Sequence, residues 1–77
     1  MVLNKELEQY KEDLVEHIKI LIDVKKRRLE ITIKALNDCL SENNFSSAAN
    51  HSNESNNIAG KIEVLEDLVK DIEVGFI

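Results

Sequence analysis

Four consecutive basic residues, Lys25 to Arg28, form the densest concentration of positive charge in this sequence. Arginine offers a two-pronged fork for phosphate oxygens, and lysine adds a compact point charge. Four neighbouring residues of a helix cover most of its circumference, so they do not all serve one site. Within this block, Lys25 and Arg28 are the candidates for binding an anion.

A second polar segment, SSAANHSNESNNIAG at residues 46–60, contains one large aliphatic side chain, Ile58. Asparagine and serine have poor helix propensity, so another interaction must offset their presence in a helix. One interpretation is that small residues at helical spacing pack against a neighbour while the amides face water. Another is that the amides and His51 line a polar cavity, and a third is residual disorder. The small residues are Ala48, Ser52, Ser55 and Ala59.

An antiparallel hairpin with its turn near residue 43 would bring the two polar regions together. Residues 25–28 would then lie roughly opposite 58–63, with Ala59, Gly60 and Lys61 alongside. This arrangement predicts a site for a small anionic molecule, such as a nucleotide-derived signal. The predicted ligand-binding residues are Lys25, Arg28, His51, Asn53, Asn56, Asn57 and Lys61.

Two alternatives for the basic block remain open. Nearby acidic side chains could neutralise it as surface ion pairs, each of which contributes little stability. The block could also be a docking patch for another protein. The acidic candidates are Asp23, Glu30, Glu63, Glu66 and Asp67.

The residues that could support catalysis or bind a metal form no known pattern. His17, Cys39 and His51 do not have the spacing of a zinc site. A pair between Cys39 and His51 across the turn is conceivable, but Asp38 and Glu42 disfavour a thiolate there. The carboxylates show no Glu-x-x-His pair of the di-iron type. We expect no enzymatic activity, no metal and no cofactor.

The apolar residues predict an all-α fold of two helices, because they recur in steps of three and four. We expect helix 1 at about residues 3–40, a turn at 41–45 and helix 2 at about 46–74, forming one domain at 1–77. Ser46 or Ser47 would cap the start of helix 2, and Gly75 would stop it. Helix 1 carries two apolar stripes. The first contains Leu7, Tyr10, Leu14, Leu21, Val24 and Ile31, and the second contains Val15, Ile18, Ile22, Leu29, Ile33, Leu36 and Leu40.

The width of this apolar face predicts self-association. A single partner helix covers one stripe, so helix 1 should contact at least two other helices. A chain of 77 residues also has a small core and needs further stabilisation. The simplest assembly is a homodimer that forms a four-helix bundle, although trimers and higher homo-oligomers fit the pattern as well.

Charge and composition restrict the partners and the location. A net charge of −5 argues against nucleic acid as a general partner. The sequence shows neither a signal peptide nor an apolar run long enough to cross a bilayer, so no membrane partner is expected. The single cysteine, Cys39, excludes a disulfide framework within one chain. We therefore expect a cytoplasmic protein.

The region CLSENNFSSAANHSNESNNIAGKIEVLEDLV resembles short helical-hairpin accessory proteins of Gram-positive phages and mobile elements. The resemblance is carried by residues around the turn and along helix 2, and it covers less than half of the chain. It implies an accessory protein, active in the host cytoplasm, that counters a host defence by binding something. The residues are Phe45, Ala48, Ala49, Gly60, Lys61, Ile62, Glu63 and Leu65.

Three functions are compatible with these features. In the first, the oligomer sequesters a small anionic nucleotide-like signal in a polar site between subunits. In the second, it inhibits or adapts a host protein through an acidic face or through the apolar tail Val74, Phe76 and Ile77. In the third, it is a structural oligomerisation module.

Overall fold

The computed structural model of the protein is a hairpin of two α-helices that pack against each other. Helix α1 spans Val2–Ser41 and helix α2 spans Phe45–Glu73. The structure describes residues 2–75, with side chains from residue 5 onward. The hairpin is a rod with extents of 63 × 17 × 12 Å. The prediction of an all-α helical hairpin is confirmed.

The turn between the helices depends on two asparagines. Asn43 adopts a left-handed backbone conformation, with φ of 59°, which asparagine tolerates better than most residues. The N–H of Asn44 donates to the carbonyl of Cys39 at 2.8 Å and closes the end of α1. The side chain of Asn44 accepts a hydrogen bond from the N–H of Ser47 at 3.4 Å. Asn44 is therefore the N-cap of α2, and the predicted caps Ser46 and Ser47 are wrong.

The other end of α2 is closed by glycine, as the sequence predicts. The helix ends at Glu73, and Gly75 follows with φ of +86°, a conformation that side chains other than glycine rarely adopt. The N–H of Val74 donates to the carbonyl of Lys70 at 2.9 Å, and that of Gly75 donates to Ile72 at 3.2 Å. These bonds satisfy carbonyls at the helix end.

The core of the hairpin is a narrow strip along the line where α1 and α2 meet. Together with the partly buried Leu65, its buried residues in α2 follow alternating steps of four and three, the spacing of a coiled coil. Partly buried Leu14, Val15, Leu29, Leu65 and Leu68 extend it on both sides. This hairpin core consists of Ile18, Ile22, Ile58, Ile62, Val69 and Ile72.

Two polar residues of α1 continue the strip toward the turn. Thr32 is buried, and its hydroxyl donates to the backbone carbonyl of Arg28 at 2.9 Å. Lys25 is half-buried between the levels of Ile22 and Leu29. Ile33 and Leu40, which the sequence assigns to the same stripe, are instead 42% and 47% exposed. The line that α2 covers therefore departs from the apolar pattern over the last turns of α1.

The first apolar stripe of α1 is left uncovered by α2. It belongs to a series of eight residues at steps of three and four, which we call the α1 seam. Leu14 is half-buried and the other seven members are exposed, including Tyr10 at 65% and Ile31 at 70%. The α1 seam consists of Leu7, Tyr10, Leu14, His17, Leu21, Val24, Arg28 and Ile31.

The surface area of the chain is large for its mass. A compact folded monomer of 8.8 kDa exposes about 4,800 Å² of surface. The hairpin exposes 6044 Å².

In the part of the chain that the structure describes, no helix is long and apolar enough to cross a membrane.

Candidate functional site

The candidate site is a cleft where the basic block of α1 faces the first half of α2. Three basic side chains, one carboxylate, one amide and one core isoleucine line this basic cleft, whose volume is about 280 Å³. Arg28 lies one turn from Lys25 on α1, and Lys61 lies one turn from Asn57 on α2. The lining residues of the basic cleft are Lys25, Arg28, Glu54, Asn57, Ile58 and Lys61.

Charge in the basic cleft is unbalanced. Lys25, Arg28 and Lys61 carry three positive charges, and Glu54 carries one negative charge. The Arg28 guanidinium lies 3.6 Å from a Glu54 carboxylate oxygen, and both side chains are well exposed, at 71% and 44%. Such an exposed pair is weak and leaves both groups available to other partners. A local excess of two positive charges therefore exists in a chain with a net charge of −5.

An open groove adjoins the basic cleft and shares three of its residues. Lys25, Asn57 and Lys61 line both spaces, and the groove adds Asn56, Gly60, Val64 and Leu65. No neighbouring atom lies within 4 Å of the position that a Cβ of Gly60 would occupy, so the glycine leaves open space there. The groove therefore joins an apolar surface to the polar basic cleft. The groove alone, with a volume of about 570 Å³, has the size of a small-molecule site.

The structure brings together five of the seven predicted ligand-binding residues. Lys25, Arg28, Asn57 and Lys61 line the basic cleft, and Asn56 lines the adjoining groove. The predicted neighbours of the basic block, Gly60 and Lys61, also lie beside Lys25. Two predicted residues lie elsewhere: Asn53 is exposed and His51 is half-buried, and neither lines either space.

Sequence reasoning missed Glu54. The acidic residues expected near the basic block were Asp23, Glu30, Glu63, Glu66 and Asp67, yet the described side chains form two ion pairs, Lys19–Glu73 and Arg28–Glu54. Glu54 lies one helical turn before Ile58, which is a core residue opposite the basic block. The spacing of Glu54 and Ile58 was the signal available in the sequence. Using it to place Glu54 beside the basic block requires knowledge of the register between the two helices.

The basic cleft lies on the same side of the hairpin as the α1 seam. Arg28 belongs to both, and Lys25 directly follows the seam residue Val24. The opposite side of the hairpin is lined by charges of both signs, including Asp23, Lys26, Glu66 and Lys70. Whatever covers the exposed apolar residues of the seam would therefore also lie against the basic cleft.

The remaining candidates for chemistry lie apart from the cleft. Cys39 is a half-buried free thiol near the turn, and His17 is exposed on the α1 seam. Among the described residues, no three His, Cys, Asp or Glu side chains are grouped so that they could hold a metal ion. The arrangement at the basic cleft is suited to binding an anion through ion pairs and amide hydrogen bonds.

The chain was compared with protein-family models, with curated proteins and with solved structures. None of the three comparisons gives a match.

Proposed function

We propose that the protein is a non-enzymatic binding module that acts as a homo-oligomer and sequesters a small, anionic, nucleotide-like molecule at the boundary between subunits. The observation that carries this proposal is the basic cleft, where three cations face one carboxylate beside an uncovered apolar seam. The two features support each other. The exposed apolar residues of the seam favour self-association. The basic cleft would then provide a ligand site at the edge of the contact between subunits.

Self-association would make an anion favourable in the cleft. A second chain on the α1 seam would reduce the access of water to Arg28 and Lys25. Cations that lose water without gaining opposite charge are strongly destabilised. Glu54 balances one of the three, so a dianionic phosphate group would neutralise the remaining two.

The neighbouring groups favour a nucleotide over a bare ion. The Arg28 guanidinium can hold two phosphate oxygens, with Lys25 and Lys61 as point charges. The amides of Asn56 and Asn57 can donate to and accept from the edge of a base or a ribose hydroxyl. The apolar surface of Val64 and Leu65 beside Gly60 leaves space for a flat base.

The resemblance to accessory hairpins of phages and mobile elements gives this capture a biological setting. A small protein that withdraws a nucleotide-derived signal would blunt a host defence that depends on that signal. In this setting the protein acts in the host cytoplasm by stoichiometric binding, without turning its ligand over.

Thermal unfolding against a panel of inorganic phosphate, linear nucleotides and cyclic nucleotides tests the proposal. A ligand at a hundred times its dissociation constant adds about 2.7 kcal/mol to the free energy of unfolding. We expect a nucleotide to raise the melting temperature of the wild type. The double variant R28A/K61A should lose that rise, whereas the matched control K26A/K70A, on the opposite side of the hairpin, should keep it. No rise with any member of the panel, or equal loss in both variants, would contradict the proposal.

A second candidate is a protein-binding inhibitor or adaptor, and the uncovered seam favours it too. An amphipathic helix of another protein could occupy the α1 seam, since helix-in-groove binding uses residues at the same spacing. Of the predicted apolar tail, Val74 is 65% exposed, and Phe76 and Ile77 lie outside the described residues. Under this candidate the purified chain stays monomeric and retains one host protein at equal stoichiometry. If the chain associates with itself but binds neither a nucleotide nor a host protein, the third function, a structural oligomerisation module, would be supported.

A further inference from the structure

We infer that two copies of the chain pair through their α1 seams in antiparallel orientation, about a two-fold axis at the level of residue 19, so that Tyr10 of the partner subunit completes the basic cleft. This inference rests on the proposed self-association and specifies its geometry. The inference specifies the surface through which the copies associate, the register of that contact and the partner residue that contacts the basic cleft. Each of these elements follows from residues that the single hairpin leaves exposed.

The apolar residues of the seam pair along its whole length in one register. An antiparallel register centred on residue 19 brings Leu7 to Ile31 of the partner subunit and Leu14 to Val24 of the partner subunit. All eight seam positions find a partner in this register. A shift by one heptad in either direction leaves seam residues at one end without a counterpart. The register that pairs the whole seam is therefore the one centred on residue 19.

The two polar members of the seam, His17 and Arg28, also bear on the orientation of the pair. In this register Arg28 meets the partner's Tyr10, and His17 meets the partner's Leu21. An arginine over a tyrosine ring is a favourable cation–π contact. A parallel pairing would instead set each Arg28 against the same residue of the other chain, and like charges in one layer repel. The polar members of the seam therefore favour the antiparallel orientation.

One flank of the seam carries a row of charged residues. Five exposed residues flank it at intervals of seven, and they change from acidic to basic along α1. They are Glu6, Asp13, Ile20, Arg27 and Lys34. Antiparallel pairing about residue 19 brings the acidic half of this row to the basic half of the partner's row.

The row is complementary at every level. Glu6 comes beside the partner's Lys34, and Asp13, which accepts a hydrogen bond from Gln9 at 2.9 Å, comes beside the partner's Arg27. Ile20, which is 54% exposed in one hairpin, comes beside its own copy at the two-fold axis. Flanking charges of this kind set orientation in coiled coils.

The exposed surface of the hairpin is large enough to accommodate such a contact. The hairpin exposes 6044 Å², about 1,200 Å² more than a compact monomer of its mass. A stable interface of standard size covers about 800 Å² on each partner. The excess is larger than the area that one partner of such an interface covers, so it leaves room for a dimer contact along one 25-residue stretch of α1.

The dimer has a consequence for the ligand site. With the partner's Tyr10 at Arg28, an aromatic ring borders the basic cleft and can stack on a base. The partner's Lys11 lies next to Lys25 in the same register. These two lysines repel, so this flank of the seam opposes the pairing that the other flank favours, and an anion bound between them would remove the repulsion.

Cross-linking and charge exchange test the register. In a C39S background, I20C should be joined across the axis by a short bismaleimide, whereas I33C, exposed on another side of α1, should not. D13R and R27D should each weaken association by roughly tenfold, because each places like charges at two symmetric contacts. The double variant D13R/R27D should return to within about threefold of the wild type. E12R, exposed away from the seam, is the matched control and should have no effect.

A separate pair of variants tests the role of Tyr10 in the basic cleft of the partner. Y10L keeps an apolar side chain in the seam but removes the ring, so it should keep the dimer and lose roughly tenfold in nucleotide affinity, whereas Y10F should retain both. An oligomer in which I20C is not joined, or in which the double charge exchange fails to restore association, overturns this register while leaving the proposed function intact. Wild-type nucleotide affinity in Y10L overturns the role of Tyr10. A chain that is monomeric throughout removes both this inference and the proposed site between subunits.

Discussion

Arg28 and Glu54 face each other across the hairpin, with 3.6 Å between an Nη2 atom of the guanidinium and an Oε1 atom of the carboxylate. Glu54 is the one acidic side chain that lines the basic cleft. It competes with any incoming anion for Arg28. The strength of this competition is measurable, because the pair is exposed and contributes little to folding.

Replacing Glu54 with glutamine should tighten anion binding. Removing one negative charge a few ångströms from a phosphate contributes about 1 kcal/mol, or about fivefold in affinity, at a solvated site. The free energy of unfolding should change by less than about 1 kcal/mol. Isothermal titration calorimetry with the nucleotide identified by the panel gives the affinity. The matched control is E66Q on the opposite side of the hairpin, and an equal gain there would show that only net charge matters.

The two glycines should respond to alanine in opposite directions. Gly60 is inside α2 with open space where a Cβ would be, so G60A should stabilise the hairpin by about 0.5–1 kcal/mol. Gly75 has φ of +86°, so G75A should destabilise it by about 1 kcal/mol. Urea unfolding followed by circular dichroism, at one fixed protein concentration, measures both. A gain in stability for G75A would be inconsistent with the described end of α2.

The N-cap of α2 provides a third test. N44A should lower the free energy of unfolding by about 0.5–2 kcal/mol, because the N–H of Ser47 loses its acceptor. S46A removes a hydroxyl that the sequence pattern suggested as a cap and should change the stability by less than about 0.5 kcal/mol. Chemical denaturation of the two variants under identical conditions compares them. The reverse order of effects would place the start of α2 at Ser46.

Much of the fold was predictable because helical periodicity is strong in this chain. The two apolar stripes of α1 predicted that α2 would cover one stripe and leave the other exposed, but they did not predict which stripe would be covered. The errors occur where periodicity is ambiguous. Ile33 and Leu40 continue a stripe by spacing, yet Thr32 occupies the buried line. In a straight helix of 3.6 residues per turn, a stripe with a period of 3.5 residues rotates around the helix by about 20° in each heptad. Over the 40 residues of α1, a stripe assigned from spacing alone therefore no longer identifies the buried residues correctly.

The candidate site was partly predictable from the position of the turn. A hairpin that turns near residue 43 places Lys25 near Lys61 within one helical turn, and the structure agrees. Glu54 was missed because the register between the helices was predicted only to within about one turn. An error of one turn places another residue of α2 opposite Arg28. Asn53 was included because composition alone does not tell which of several neighbouring amides faces a cleft.

In the proposed assembly, a second copy of the chain covers the α1 seam. Sedimentation equilibrium of the wild type at micromolar concentration tests it most directly, with V24D as the paired variant, since Val24 is 55% exposed on the seam. We predict a mass of twice 8.8 kDa for the wild type and a shift toward the single-chain mass for V24D, with helicity retained by circular dichroism. A well-folded wild type that sediments at the mass of one chain across this range would contradict the claim.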